Sequence, residues 1–203
     1  MVNKVKKKII KSTNCQNITL TNSGSSALIL GLNSLDLKDN DIVITSNYTF
    51  IATLNSIIHS RLKPWIFDIE KENFSIDLNN LEKILNKNTY KKKGYTYYKK
   101  TNQRVSAIMP VIFCGIIPNL KKIKSISKKY NLKIIVDCAG GFIQLIKNKD
   151  IIRLSDIVIT SFNGNKSITS GGGGAIFSKN KRYFNKFDNL SDNSKIGKYI
   201  HND

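Results

Sequence analysis

Apolar and polar positions follow two different periodicities along the chain. Short continuous runs of Ile and Val are typical of strands that are buried on both faces of a sheet. They predict strands at residues 41–46, 63–69, 105–112, 133–137, 156–161 and 174–177. Apolar residues at helical spacing predict helices at residues 48–60, 80–86, 119–130 and 181–190. This alternation predicts an α/β fold, in which helices cover both faces of a mostly parallel sheet.

Between these elements, the polar segment 91–104 is rich in Lys and Tyr and is expected to form a surface hairpin or loop. Parallel sheets bind their ligands at the carboxyl ends of the strands. Residues that follow directly after a predicted strand are therefore the first candidates for chemistry.

A Gly-Ser-Ser turn at residues 24–26 precedes a helical apolar pattern that continues to Leu35. The first turn of a helix presents free backbone N–H groups, and with the hydroxyls of Ser25 and Ser26 it could bind a phosphate. An ordinary N-cap serine explains the same pattern. Taken alone, the motif favours the ordinary N-cap serine.

Asp137 stands at the end of the apolar run 133–137. A carboxylate that emerges from a buried strand can hold a positive charge in place. A residue that only caps the following turn is the alternative, and the local sequence leaves both open.

Lys166 follows Ser161, the last residue of a predicted strand, and precedes four consecutive glycines at 171–174. Such a run costs conformational entropy, so it indicates a close backbone approach or unusual dihedral angles. A lysine held in a pocket by such a turn could form a Schiff base. The segment fits neither a P-loop, because Asn165 precedes the lysine, nor a dinucleotide fingerprint, because the glycines lead into a strand.

The net charge of +19 raises the question of nucleic-acid binding. Of the 33 basic residues, 29 are Lys, and Lys, Asn and Ile together make up 84 of the 203 residues. These three amino acids share A- and T-rich codons, so a biased genome accounts for the charge. Arg, the preferred residue for recognising bases and phosphates, is scarce. A solvated basic surface is therefore expected, without nucleic-acid binding.

Cysteine usage indicates the compartment. Cys15, Cys114 and Cys138 are widely spaced and form no CxxC pair, which argues against a disulfide scaffold or a cysteine zinc site and favours the reducing cytoplasm. With only two histidines, no metal site is expected. No apolar run approaches the ~20 residues that a membrane span needs, so no membrane contact is expected.

Taken in order, these motifs resemble the DegT/DnrJ/StrS family of pyridoxal-phosphate (PLP) sugar aminotransferases. The most specific element is SFNGNKSITSGGGG at 161–174, which resembles the subgroup that makes 4-amino sugars of the bacillosamine and legionaminic type. Supporting segments are SGSSAL at 23–28, SNYTFIATLNSI at 46–57, WIFDIEKENFSID at 65–77 and LSDIVITSFNGNK at 154–166. The resemblance implies the type I aminotransferase fold and transamination of a nucleotide-linked 4-keto-6-deoxy sugar, with glutamate as amino donor.

The resemblance also implies residue roles. Lys166 forms the Schiff base with PLP, and Asp137 pairs with the pyridinium nitrogen. Ser161 contacts the PLP phosphate, as do Ser25 and Ser26. Phe50 falls at the position of an aromatic side chain that stacks on the PLP ring.

Two positions depart from the family pattern. Gly140 stands where the family has Gln, His or Glu, and Ile112 replaces the histidine of a Pro-Val-His segment. Both favour the alternative that the chain keeps the fold without turnover. A PLP-dependent sugar dehydratase is a second alternative, but such relatives carry histidine in place of the lysine, and Lys166 argues against it.

Members of the family are nearly twice as long as this chain. Residues 1–203 are therefore expected to be the PLP-binding large domain, truncated at both ends and without the small C-terminal domain. The resemblance further implies a homodimer in the full-length protein. On its own, the chain is expected to bind PLP weakly and to turn over little substrate.

Overall fold

The structure, a computed structural model, describes residues 2–191, 195–197 and 200–201. Its centre is a mixed sheet whose strands run in the order β1-β9-β8-β7-β6-β2-β3. These strands are β1 (Ile18–Thr21), β2 (Ile42–Ser46), β3 (Lys63–Phe67), β6 (Arg104–Met109), β7 (Lys133–Asp137), β8 (Ile157–Ser161) and β9 (Gly174–Phe177). Strands β3, β2, β6, β7 and β8 are parallel, and β9 lies antiparallel between β8 and β1.

A hairpin extends this sheet at the start of β6. It consists of β4 (Thr89–Lys92) and β5 (Tyr95–Tyr98), and β5 pairs antiparallel with β6. A separate antiparallel pair is formed by β10 (Lys195–Gly197) and β11 (Ile200–His201).

Helices lie on both faces of the sheet. They are α1 (Val2–Thr13), α2 (Gly24–Asn33), α3 (Ile51–His59), α4 (Leu78–Asn88), α5 (Leu120–Tyr130), α6 (Phe142–Lys147), α7 (Asp150–Arg153) and α8 (Lys181–Ser191). Among the described residues, no helix is long and apolar enough to cross a membrane.

The sheet separates two apolar cores, because successive residues of a strand point to opposite faces. In β7, Ile134 and Val136 belong to the core under α4 and α5, and Ile135 belongs to the core under α2, α3 and α8. Strand β7 is buried on both sides, which explains why its sequence is continuously apolar and does not alternate.

The predicted α/β fold with a mostly parallel sheet is confirmed. A hairpin overlaps the predicted segment 91–104, although it begins at Thr89 and its second strand ends at Tyr98. Several boundaries differ. The strand predicted at 105–112 ends at Met109, before Pro110, which has no N–H to donate to a ladder. The helix predicted at 48–60 begins only at Ile51, and the one predicted at 80–86 begins at Leu78.

Six of the described elements were not predicted from the pattern: α1, β1, α6, α7, β10 and β11. Helix α1 is strongly basic and buries only Ile9 and Thr13, so its apolar stripe is thin. Strand β1 has four residues and two polar threonines. Tertiary packing stabilises these elements, and the local pattern of apolar residues does not reveal that packing.

The N-terminal cap of α4 can be tested by mutation. The carboxylate of Asp77 accepts hydrogen bonds from the backbone N–H groups of Asn79 (3.0 Å) and Asn80 (2.9 Å). Asp77→Ala leaves both groups without this partner and is expected to lower the free energy of unfolding by about 1 kcal/mol, measured by urea denaturation. Asp77→Asn keeps the capping oxygen and is the control. Equal losses in both variants would contradict the capping role.

Candidate functional site

Two adjoining cavities open at the carboxyl ends of β7 and β8. The first, here called the serine cavity, has a volume of about 230 Å³, and the second, the apolar cavity, about 240 Å³. Ser25, Thr53 and Ser161 contribute to the wall of the serine cavity. Val111, Ile112 and Phe113 contribute to the wall of the apolar cavity. Both cavities share Phe50, Asp137, Ala139, Asn165 and Lys166.

Asp137 is the buried acid of this site, with 3% of its surface exposed. The hydroxyl of Thr53 donates to Oδ2 at 2.7 Å, and the backbone N–H of Ala139 donates to Oδ1 at 3.0 Å. Burial raises the pKa of Asp137, and these two hydrogen bonds together with the positive charge of Lys166 oppose the rise. The carboxylate is therefore fixed in orientation but lacks a cation in direct contact among the described residues.

Thr53 was not singled out from the sequence. It lies in the first turn of α3, and its hydroxyl is also within 2.7 Å of the hydroxyl of Thr49. The chain Thr49–Thr53–Asp137 connects the segment after β2 with the end of β7. The sequence carries no clear signal for this contact, because the buried residues of α3 are themselves mostly polar: Thr53, Ser56 and Ile57.

Lys166 lies in the loop between β8 and β9 and lines both cavities. Its Nζ is 6.0 Å from the centroid of the Phe50 ring. The backbone N–H of Lys166 donates to the carbonyl of Asn163 at 3.0 Å, and Ser170 N–H donates to the carbonyl of Phe162 at 3.0 Å. These turns fold the loop back towards the sheet, so that the lysine stands at the same cavities as Asp137.

The start of α2 forms another wall of the serine cavity. Ser23 is the N-cap and accepts a hydrogen bond from the N–H of Ser26 at 3.1 Å. Ser25 lines the serine cavity, whereas Ser26 lines a different cavity on the other side of the helix start. Ser161 lies at the end of β8 and faces Gly24, and its buried hydroxyl is 3.3 Å from the N–H of Asn163.

Glycine is required at this site for two separate reasons. A Cβ at Gly24 would lie 2.7 Å from the Cβ of Ser161, and a Cβ at Gly174 would lie 2.6 Å from the carbonyl oxygen of Ser23. Gly171 and Gly173 have positive φ angles of 80° and 112°. Gly171 and Gly173 thus let the loop turn, whereas Gly24 and Gly174 let the start of α2 contact β8 and β9 closely.

Phe50 is exposed at 66% and stands at the mouth of both cavities. It is the N-cap residue of α3 and has extended backbone angles. Its ring is available for contact with a planar ligand, and no core packing accounts for its position.

The structure therefore brings together five of the six residues predicted from the sequence: Lys166, Asp137, Ser161, Ser25 and Phe50. The hydroxyl of Ser26 is the exception, since it is 2.9 Å from that of Ser23 and lines another cavity. Its backbone N–H is still part of the helix start. Ile112 is 1% exposed in the wall of the apolar cavity, and Gly140 adds no side chain there.

The chain also matches the model of a known protein family. The model of the DegT/DnrJ/EryC1/StrS aminotransferase family matches residues 2–202. The chain is 36% identical over 165 residues to an uncharacterized protein of Methanocaldococcus jannaschii, which covers 81% of the chain and 39% of that protein. It is 31% identical over 192 residues to the dTDP-4-amino-4,6-dideoxy-D-glucose transaminase of Shigella dysenteriae, covering 95% of the chain and 47% of that protein.

Solved structures have the same fold. NtdA of Bacillus subtilis with bound PMP matches with a TM-score of 0.83 and 26% identity, over 99% of this chain and 42% of that chain. A DegT/DnrJ/EryC1/StrS aminotransferase of Brucella abortus matches with a TM-score of 0.82 and 19% identity, over 99% and 52%. The chain spans half or less of the length of the curated relatives that it matches.

The contact between Gly24 and Ser161 can be tested by adding one methyl group. Gly24→Ala is expected to displace the start of α2 from β8 and to lower the free energy of unfolding by about 1–3 kcal/mol in urea denaturation. Gly172→Ala is the control, because its Cβ would meet nothing closer than the Asn22 carbonyl at 4.0 Å. If the urea midpoint of Gly24→Ala equals that of wild type, the start of α2 does not pack against Ser161 as described.

The burial of Asp137 has a consequence for pH dependence. Because its pKa in the folded chain is raised, the neutral carboxyl suits the fold better than the carboxylate. Without a bound cation, the charged carboxylate therefore destabilises the fold once the pH exceeds ~3.9, the ordinary pKa of an Asp carboxyl. Below that pH the carboxyl is neutral in both the folded and the unfolded chain, and this destabilisation is absent. Asp137→Asn is expected to raise the melting temperature at pH 7 and to have a smaller effect as the pH falls towards 4.

The control for this measurement is Glu72→Gln, which removes an exposed carboxylate. It is expected to change the melting temperature little at either pH. If Asp137→Asn melts at a lower temperature than wild type, and by the same amount at both pH values, the buried charge does not destabilise the fold.

Proposed function

The chain belongs to the DegT/DnrJ/EryC1/StrS aminotransferase family, and we propose that it transfers an amino group to a nucleotide-linked 4-keto-6-deoxy sugar, with PLP as cofactor. Several relatives carry names of sugar transaminases, and another is GDP-perosamine synthase of Escherichia coli O157:H7. The observation that carries the proposal is that a buried carboxylate and a loop lysine line one cavity beside a helix start. We propose that residues 1–203 are the PLP-binding domain of this enzyme.

The residues present fit the cofactor. PLP supplies an aldehyde that reacts with amines and a ring that withdraws electrons while its nitrogen is protonated. A protonated ring nitrogen is the cation that the buried Asp137 lacks, and the carboxylate would keep that proton on the ring. Thr53 and the N–H of Ala139 hold the carboxylate in one orientation for this contact.

The other end of the serine cavity suits a phosphate. The start of α2 presents backbone N–H groups and the exposed hydroxyl of Ser25, and Ser161 adds a hydroxyl from the end of β8. A phosphate dianion is stabilised by the positive end of a helix dipole and by such donors. Ser26 contributes through its backbone in this proposal, because its side chain lines another cavity.

Lys166 has two tasks in this proposal. Its amine would hold the cofactor covalently, and as a free amine its Nζ would accept and return the proton that the transfer requires. Phe50 lies close to Nζ and is exposed at the mouth, so its ring can cover a planar cofactor. The apolar cavity beside Lys166 has room for part of the sugar.

We propose glutamate as the amino donor and a homodimer as the working form. The dimer is supported by apolar side chains that are exposed beside the cleft, namely Phe50 at 66%, Ile51 at 57% and Phe74 at 48%. Burial of such residues against a second copy would remove apolar surface from water. The cytoplasm is the proposed compartment, because the cysteines are widely spaced and unpaired.

A chain that binds PLP without turnover is the second candidate. Ile112 and Gly140 favour it, because this wall of the apolar cavity presents no titratable side chain at either position. The two candidates differ in their response to glutamate, which converts the cofactor to its amine form only if the amino transfer takes place.

The test uses the purified chain with saturating PLP. Borohydride reduction is expected to attach PLP covalently to Lys166, read as a mass increase on its peptide, and Lys166→Ala is expected to abolish the attachment. Glutamate in excess is expected to shift the cofactor absorbance towards that of the amine form, and slowly, because the chain on its own is expected to turn over little. Adduct without this shift would support the second candidate.

Lys179→Ala serves as the control, because Lys179 is exposed and follows β9, away from both cavities. This variant is expected to keep the adduct and the absorbance change. If Lys166→Ala still gives a borohydride-stable adduct on another lysine, the assignment of the amine is wrong.

A further inference from the structure

A chain of two hydroxyl groups leads from Asp137 to the wall of the apolar cavity. The hydroxyl of Thr53 donates to Oδ2 of Asp137 at 2.7 Å, and the hydroxyl oxygens of Thr53 and Thr49 are also 2.7 Å apart. Thr53 is almost fully buried, at 1% exposure. Thr49 is half-buried and contributes to the wall of the apolar cavity. Thr49 is therefore the end of the chain that a ligand can reach.

The direction of the hydrogen bonds in this chain follows from the number of protons. A carboxylate only accepts hydrogen bonds, and a hydroxyl has one proton to donate. Because Thr53 gives its proton to Asp137, its oxygen must accept from Thr49. The proton of Thr49 is then committed to Thr53, so the hydroxyl of Thr49 has only a lone pair to offer a ligand.

The backbone at the start of α3 does not use the Thr49 hydroxyl. Thr49 directly precedes Phe50, the N-cap residue, and a hydroxyl near a helix start commonly accepts from a backbone N–H. Here the N-cap makes no side-chain hydrogen bond, and the N–H of Thr53 donates to the carbonyl of Phe50 at 3.0 Å. Helix capping therefore does not account for the hydroxyl at position 49, and its contact with Thr53 is the one that needs a reason.

We propose that Thr49 is a specificity-determining residue of the apolar cavity, where its hydroxyl oxygen accepts a hydrogen bond from a ring hydroxyl of the bound sugar. This inference rests on the proposed function, in which the protonated cofactor ring keeps Asp137 ionised. A neutral carboxyl could donate to Thr53 and reverse the chain, and burial favours that neutral form by raising the pKa of Asp137 when no cation is bound. The charge on Asp137 thus sets which ligand groups suit Thr49.

The selection acts on the part of the ligand that lies near the reacting amine, because Thr49 and Lys166 line the same cavity. A sugar with a hydroxyl at this point gives the oxygen of Thr49 its hydrogen bond. An analogue that cannot donate leaves this oxygen without a partner and without the water that it displaces. A site that is built for a hydroxyl rejects such analogues for this reason.

Binding can be measured without turnover. Borohydride reduction fixes PLP on Lys166 as an inactive adduct, and calorimetry then reports binding alone. The parent probe is a 4-amino-4,6-dideoxyhexose linked to dTDP, UDP or GDP, whichever binds most tightly. Its analogues carry fluorine in place of the 2- or the 3-hydroxyl, which is similar in size but cannot donate. Wild type is expected to bind at least one fluoro analogue about five- to tenfold more weakly than the parent.

Three variants separate the direction of the chain from a general effect on packing. Thr49→Val keeps the shape and removes the oxygen, so it is expected to weaken the parent about five- to tenfold and to bring the ratio of the parent and fluoro affinities close to one. Thr49→Ser keeps the oxygen and is expected to preserve the wild-type ratio. Thr53→Val frees the proton of Thr49, which can then donate to fluorine, so the ratio is expected to narrow although Thr49 is unchanged.

Two kinds of failure are distinguishable. If both fluoro analogues bind as tightly as the parent, or if Thr49→Val keeps the wild-type ratio, Thr49 does not select the ligand, whereas the proposed function stands. If borohydride attaches no PLP to Lys166, or if wild type does not bind the parent, the proposed function is wrong and this inference with it. Melting temperatures check the fold of each variant, and if Thr49→Val does not fold, the ratio in Thr53→Val decides.

Discussion

The burial of the Asp137 carboxylate is the constraint on which the rest of the site depends. A charged group that loses its water must find hydrogen bonds and an opposite charge, or it becomes neutral. Thr53 and the backbone after β7 supply the hydrogen bonds, and Lys166 supplies only part of the charge, from a distance. The site is therefore incomplete by itself, and a cationic ring between the strand ends would complete it.

The packing of helix α2 against the sheet fixes what lies beside this carboxylate. Because Gly24 lets its first turn contact Ser161, the helix start and the end of β8 form one surface beside Asp137. A larger residue would separate the two and widen the cavity. The distance between the proposed phosphate site and the acid is thus set by backbone packing across the sheet, and not by flexible side chains.

Much of the fold and of the site could be predicted from the sequence, because these features depend on residues that are close together in the chain. Continuous Ile and Val runs predicted the parallel strands, and Asp137 could be placed because it is the last residue of such a run. The contact of Thr53 with Asp137 could not, since it joins residues 84 positions apart. The different directions of Ser25 and Ser26 also depend on geometry, because neighbours on a helix point about 100° apart. Helix α1 could not be predicted because its apolar stripe is thin, with Ile9 and Thr13 as its buried residues.

The pairing of Ser161 with Gly174 has a consequence for how this protein can change over time. It closes the loop that contains Lys166 at both ends, so the loop is a tethered ring whose span is fixed by β8 and β9. Doubling the length of such a loop costs only about 0.6 kcal/mol in closure entropy, which a stable domain tolerates. The position of the amine tolerates far less. If Lys166 holds the cofactor as proposed, insertions and deletions in this loop would therefore abolish activity at lengths that still leave the chain folded.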